Sequence, residues 1–195
     1  MTLRNHMTLR NHIVRLTLAT LVACSWAALS SAAETTIWHI KAVHPEGRLL
    51  DVKAMDAQGN VYDVKALEEA GNRHVLDVKA LMGTQRLPVK ILVSEDKYAP
   101  VKAISADGTI LEIKALTPDK QKLDVKGVKR NGSIIHIKAI APDGQFYGVK
   151  AISSDGRLYD VKGLKMSSDD KETTVAGIAV HAHVKALPQM SDSDD

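Results

Sequence analysis

The stretch Ala151-Ile152-Ser153-Ser154-Asp155-Gly156-Arg157-Leu158-Tyr159-Asp160-Val161-Lys162 is the clearest copy of the unit from which this chain is built. Its core is the phrase apolar-Lys-Ala-apolar, which returns about every twelve residues, and the period of such a repeat indicates the architecture. The repeat lysines are Lys41, Lys53, Lys65, Lys79, Lys90, Lys102, Lys114, Lys126, Lys138, Lys150, Lys162 and Lys185.

The period favours strands over helices. In a helix, a twelve-residue step turns a side chain by about 1200°, so successive lysines would spiral around the axis and form no face. In a strand, side chains alternate between two faces. Leu158, Asp160 and Lys162 then share one face. Tyr159 and Val161 share the other, which is wholly apolar.

Short turn sequences between the strands predict three-residue hairpin loops that end in a left-handed glycine. These are Pro45-Glu46-Gly47, Ala57-Gln58-Gly59, Ala106-Asp107-Gly108, Arg130-Asn131-Gly132, Pro142-Asp143-Gly144 and Ser154-Asp155-Gly156. A loop centred on Asp155 predicts the cross-strand pairs Ile152–Leu158, Ala151–Tyr159, Lys150–Asp160 and Val149–Val161. A loop centred on Asp107 likewise places Lys102 opposite Glu112, so charges of opposite sign help to specify the register.

The sequence therefore predicts an all-β fold, an antiparallel meander of about twelve short strands. We expect a closed up-and-down barrel or a strongly curled sheet, in which the first and last strands close the ring. The alternatives are a parallel β-solenoid, which would stack lysine over lysine, and two-residue hairpins, which would lose the charge matching. Identical hairpins cannot all share one hydrogen-bond geometry in such a meander. We therefore expect the turn types to alternate or the irregular repeats to supply the stagger.

Residues 1–33 are typical of a secretory signal peptide. A polar, basic start precedes the apolar run Leu16–Leu29, and small residues near Ala33 suit cleavage. Leu21-Val22-Ala23-Cys24 also resembles the lipobox of bacterial lipoproteins, which implies the alternative of cleavage before Cys24 and a lipid anchor there. We expect a single β-repeat domain over residues 34–190 and a disordered acidic tail over residues 191–195.

Composition restricts the partners. Without Arg4, Arg10 and Arg15 of the signal, 23 basic residues face 23 acidic ones, so the mature chain is formally neutral and nucleic acid is not expected as a partner. Cys24 is the only cysteine, so disulfides are not expected to stabilise the fold.

The repeat is irregular between residues 81 and 100, where Pro88 and Pro100 replace the acid that usually precedes Val-Lys. Because proline prefers edges and bulges, we expect a bulge, seam or opening there.

Histidines provide the candidate metal ligands. His181 and His183 share a strand face, and His39 on the first strand would lie near them if the sheet closes, so the three could bind Zn²⁺ or Cu²⁺. The sequence favours the simpler interpretation that histidines fill the acid position of strands at the seam.

No catalytic residues are predicted. The sequence contains no phosphate-binding glycine loop and no nucleophile elbow, and an Asp–Lys pair that recurs in most strands indicates a structural role. We expect an exported, non-enzymatic structural or binding module of the bacterial envelope or exterior, periplasmic or secreted, with no cofactor. Its partner would be a protein, an envelope component or a small molecule. The alternative is a small outer-membrane β-barrel with its apolar face toward lipid.

Overall fold

The computed structural model describes residues 35–68, 74–165 and 173–189, all within one compact unit, Ala33–Asp195. The predicted signal peptide, the lipobox with Cys24 and the acidic tail lie outside these residues. The described residues form strands and turns and no helix. The strands are β1 Thr36–Val43, β2 Leu49–Met55, β3 Val61–Glu68, β4 Leu76–Met82, β5 Gln85–Leu92, β6 Ala99–Ile104, β7 Ile110–Leu116, β8 Lys122–Asn131, β9 Ile134–Ile140, β10 Phe146–Ile152, β11 Leu158–Lys165, β12 Thr173–Val175 and β13 Ile178–Pro188.

The two faces predicted from the alternation are confirmed. The face of Val64 and Ala66 is buried, and the corresponding residues of the other repeats build one continuous core with Trp38. The face that carries the repeat lysines is the outer face of the sheet, and most of these lysines are partly exposed. The outer-membrane alternative requires the opposite orientation, because it places the apolar face against lipid.

The predicted hairpin loops are confirmed at five of the six turn sequences. After β10, Ser153 N–H donates to Arg157 C=O and Gly156 N–H donates to Ser153 C=O, both at 3.1 Å, and Gly156 has φ +85°. Three of the four predicted pairs form, namely Ile152–Leu158, Ala151–Tyr159 and Lys150–Asp160. The fourth pair, Val149–Val161, does not form, because beyond Asp160 this edge of β11 pairs with β9 instead of β10.

The sixth turn sequence behaves differently from the prediction. Asn131 pairs directly with Ile134, so Gly132 and Ser133 form a two-residue loop. This shorter loop, together with the register shift at Gly127/Lys129, places Lys126 opposite Lys138 rather than opposite His136.

The geometry of the repeated hairpin loops determines along which edge each strand pairs with its neighbours. In β2, Arg48 C=O accepts the closing hydrogen bond of the first loop and Asp56 N–H donates that of the second. The two residues are an even number apart, so their backbone groups point to the same edge of the strand. Both hairpin partners, β1 and β3, therefore share one edge of β2, and β7 pairs along the other. The turn types need not alternate as expected.

Each such strand meets its two hairpin neighbours in a triangle, which we call a junction. Junction 1 contains β1, β2 and β3, and junction 2 contains β4, β5 and β13. Junction 3 contains β6, β7 and β8, and junction 4 contains β9, β10 and β11. Within each junction, every strand pairs with both of the others.

Six ladders connect the four junctions, one for each pair of junctions. They are β1–β10, β2–β7, β3–β4, β5–β6, β8–β9 and β11–β13. The pairings thus have the connectivity of a tetrahedron, with junctions as corners and ladders as edges. Every repeat strand is paired along both of its edges, and all pairings are antiparallel.

The predicted antiparallel all-β meander is therefore confirmed as a strongly curled, ring-like sheet, and the parallel solenoid is not. It is not an even barrel, because each repeat strand has three neighbours, except β13, which has four. The first and last strands, β1 and β13, do not pair with each other. A bulge, seam or opening was expected between residues 81 and 100, and a register shift does occur where Ile91 and Leu92 of β5 pair with β13, although the extra residue lies in β13, between Val180 and Ala182. A second register shift, at Gly127/Lys129 in β8, was not expected.

One turn carries backbone strain. Lys120 occupies the left-handed position with φ +63°, where five sister turns have glycine. A side chain in this region costs about 1–2 kcal/mol. We therefore expect Lys120→Gly to raise the free energy of unfolding by about 1 kcal/mol in urea denaturation. Lys120→Ala is the control, because alanine keeps the Cβ atom, and an equal gain from alanine would contradict the strain explanation.

Candidate functional site

The polar groups of the outer face are gathered at the junctions. In each strand the residue two positions before the repeat lysine, which we call the acid position, faces the lysine of a neighbouring strand. In junction 1, Lys41 pairs with Asp51, Lys53 with Asp63, and Lys65 with His39. The pairs run around the triangle in one direction, so three lysines and three acid positions form a ring.

Junction 1 shows the contacts of a filled ring. Lys41 and Lys53 donate to Asp51 and Asp63 respectively, and Lys65 Nζ lies 3.2 Å from the second oxygen of Asp63. The hydrogen bond from Lys53 holds the pKa of Asp63 below its usual range. The ring surrounds a pocket of about 240 Å³.

Histidine completes this ring as a hydrogen-bond acceptor. Lys65 Nζ lies 3.0 Å from His39 Nδ1. Because an ammonium group can only donate, Nδ1 accepts and the imidazole is neutral. The charge of Lys65, and then burial, lowers the pKa of His39, which keeps it in that form.

The other rings repeat this plan with different residues in the acid position. Junction 3 has Glu112 and Asp124, with Pro100 third. Junction 2 has one acid, Asp77, with Pro88 and His183. Junction 4 also has one acid, Asp160, with His136 and Gly148. With neutral histidines, junctions 2 and 4 each hold three lysines against one aspartate and are the more positive pair.

The long ladders contradict the expectation that lysines always face acids. At the middle of each ladder, two repeat lysines stand opposite each other. These pairs are Lys41–Lys150, Lys53–Lys114, Lys65–Lys79, Lys90–Lys102, Lys126–Lys138 and Lys162–Lys185. Like charges directly opposite are unfavourable. The carboxylates of each junction draw the ammonium groups away from the ladder and toward the ring.

Junction 2 buries one of its lysines. Lys90 is 6% exposed and its Nζ contacts His183 Nδ1, while Asp77 pairs with Lys185 and with Lys79 at 3.2 Å. Burial, followed by the charges of Lys79 and Lys185, lowers the pKa of Lys90 from 10.5 to about 8. Burial and then the charge of Lys90 lower the pKa of His183. The pocket of this ring is smaller, about 120 Å³.

We expect this buried lysine to make stability depend on pH. Between pH 8 and 10.5 the unfolded chain keeps the Lys90 proton and the folded chain releases it, so stability rises with pH by up to about 3 kcal/mol. Lys90→Met removes that rise, as measured by the difference in urea unfolding from wild type at successive pH values.

Lys114→Met is the matched control for this titration. Burial acts to lower the pKa of Lys114, but the hydrogen bonds and negative charges of Asp124 and Glu112 together outweigh it, and the pKa is raised. Its curve should therefore run parallel to wild type between pH 8 and 10. A Lys90→Met curve that also runs parallel would show that Lys90 does not titrate in this window.

The structure does not bring the three predicted metal ligands together. His181 and His183 lie on the outer face of β13, whereas His39 belongs to junction 1, and β1 does not pair with β13. Among the residues that the structure describes, no group of three or more His, Cys, Asp or Glu side chains could hold a metal ion. His39 and His183 instead occupy acid positions, as the simpler interpretation predicts, and so does His136 in junction 4. These positions lie in three different junctions rather than at one seam.

Sequence reasoning missed the rings themselves. The sequence does show which residue stands two positions before each repeat lysine, but the order of acidic and neutral residues there has no period that assigns them to rings. At these positions Gly148, Pro88 and Pro100 differ from the rest, because they are neither acidic nor histidine.

Nothing in the described part of the chain is a helix long and apolar enough to span a bilayer. No curated protein matches the chain, and no solved structure matches it. One family matches residues 34–187, which include β1 to β12 and all of β13 except its last residue, Pro188. The chain therefore belongs to the family described as "Family of unknown function (DUF7486)".

Proposed function

We propose that this chain is an exported, non-enzymatic β-repeat protein of the bacterial envelope or exterior that acts as a binding module. The observation that carries the proposal is the outer face, where the same lysine rings recur at the four corners of a closed β scaffold. Three of these rings surround pockets of about 120 to 240 Å³. Recurrence supports binding rather than catalysis, because a catalytic group is normally singular.

Export is supported by the order of residues at the amino terminus, with arginines before an apolar run and small residues after it. Lysines and arginines together balance the acidic residues in the remainder of the chain, which supports a role away from nucleic acid.

The test is to express the full chain in a bacterial host, fractionate the cells and determine the mass of the product. Periplasmic or secreted protein that begins near Glu34 is the expected result. Protein that begins at Cys24 with added acyl mass would identify the lipoprotein form of the same proposal. Full-length protein retained in the cytoplasm would overturn export.

A further inference from the structure

Junctions 1 and 4 correspond residue by residue. Lys65 and Lys162 each contact a histidine Nδ1, at 3.0 and 3.2 Å, and each lies near an aspartate, at 3.2 and 3.3 Å. The second lysine of each ring, Lys53 or Lys150, donates to that same aspartate. The two rings are therefore built alike over five of their six polar positions.

The sixth position differs. Asp51 of junction 1 accepts a hydrogen bond from Lys41, whereas the equivalent residue of junction 4 is Gly148, opposite Lys138. In the part of the chain that the structure describes, the ion pairs of this ring are those of Asp160 with Lys150 and Lys162. Burial, and then the charges of Lys162 and Lys150, lower the pKa of Lys138.

There is room for a negative group beside Gly148. A Cβ atom built there would lie 3.8 Å from Lys150 Cε and 3.9 Å from Lys138 Nζ, which is ordinary van der Waals contact. The ring encloses about 200 Å³ and remains open to solvent. A carboxylate-sized group therefore fits within reach of two ammonium groups.

The charge balance favours an anion in that place. Three lysines face one carboxylate in junction 4, and His136 adds a neutral acceptor, since burial and the charge of Lys162 lower its pKa. In junction 1 the Asp51 carboxylate supplies the second negative charge. Partly buried ammonium groups attract oxyanions more strongly than fully hydrated ones do.

We propose that junction 4 binds a small oxyanion, a carboxylate or phosphate group, beside Gly148, at the place that the Asp51 carboxylate holds in junction 1. The proposal rests on the binding role proposed above and names the ligand chemistry of one ring. The anion contacts Lys138 and Lys150, and Gly148 is the residue that permits entry.

The test exchanges the residues at the one position where the two rings differ, Asp51 in junction 1 and Gly148 in junction 4. Binding of acetate and of inorganic phosphate is measured by NMR at constant ionic strength against chloride, following the ring protons of His136 and His39. In wild type, we expect saturable shifts at His136 and not at His39. Gly148→Asp should weaken binding at His136 at least ten-fold, and Asp51→Gly should create saturable shifts at His39.

Gly148→Asp is expected to fold, because its Cβ atom meets only van der Waals contacts and its carboxylate can pair with Lys138, so its melting temperature should equal or exceed that of wild type. Lys138→Met is the second variant and should weaken anion binding at His136 as much as Gly148→Asp does. Saturation by acetate alone would identify a carboxylate ligand, and saturation by phosphate alone would identify a phosphate ligand.

Equal shifts in wild type and Gly148→Asp, or no saturation by either anion in wild type, would overturn the proposal. Neither result would bear on export, which the mass and location of the product decide separately.

Discussion

Ile91→Ala is expected to lower the free energy of unfolding by about 2–5 kcal/mol, the usual range for removing a buried isoleucine. Ile91 is fully buried and occupies a position where most repeats have alanine. Two other repeats have glycine at that position, Gly127 and Gly163, and both lie against Ile91 Cδ1. The larger side chain therefore fills the space that two missing methyl groups leave. Urea denaturation followed by circular dichroism measures the loss.

A double-mutant cycle tests this compensation. A Cβ atom at Gly163 would overlap Ile91 Cδ1 and lie 3.2 Å from Ile135 Cβ, so Gly163→Ala alone should also destabilise. Combined with Ile91→Ala, the added methyl group enters the cavity, and the double variant should be more stable than the sum of the two losses predicts. Additive losses would contradict this packing. Ile37→Ala on the exposed surface is the matched control and should cost less than about 0.5 kcal/mol.

Trp38→Ala is expected to cost about 3–5 kcal/mol, as large aromatic deletions in cores do. The indole is fully buried, its ring centroid lies 4.5 Å from that of Tyr159, and the Arg157 guanidinium lies 4.7 Å above it. Nε1 also donates to Glu68 at 3.0 Å. The side chain thus links β1 in junction 1 to β11 in junction 4. Thermal and urea unfolding by circular dichroism measure the effect.

Trp38→Phe separates the benzene ring of the indole from the pyrrole ring. Phenylalanine keeps a benzene ring against Tyr159 and loses the pyrrole ring with its donor to Glu68, so we expect less than half of the alanine effect. A phenylalanine variant as unstable as the alanine variant would show that the pyrrole ring and its bond to Glu68 contribute more than the packing of the benzene ring does.

Local features of this fold were predictable from the sequence. Strand faces follow from side-chain alternation, and the register of the hairpins follows from loops such as the one that ends at Gly156. Both depend on residues close together in the chain, where geometry leaves few options.

The ladders between junctions were not predictable from single hairpins. They join strands such as β1 and β10, and most repeat strands present the same apolar-Lys-Ala-apolar pattern, so the pattern does not identify the true partner. The arrangement of hairpins around a triangle, in contrast, could have been predicted from the number of residues between successive loops. Arg48 and Asp56 are an even number of residues apart, which places both loops of β2 on one edge.

The proposed anion site was not predictable from the sequence either, because it depends on contacts between strands that are distant in the chain. Gly148 reads in the sequence as a small residue in a strand. Only the closed ring shows that it stands where Asp51 stands in junction 1, and that Lys138 faces it. The positions of the histidines likewise became clear only from the rings, because His39 and His183 belong to different junctions.

The last strand completes a corner begun much earlier in the chain. Lys185 reaches Asp77 across 108 positions, and Lys90 meets His183 across 93. During synthesis, the strands of junctions 1, 3 and 4 are all made before residue 178, whereas β4 and β5 wait for the carboxyl end. Junction 2 therefore cannot close until residues 178–188 have been made, and a chain truncated before residue 178 would lack this corner.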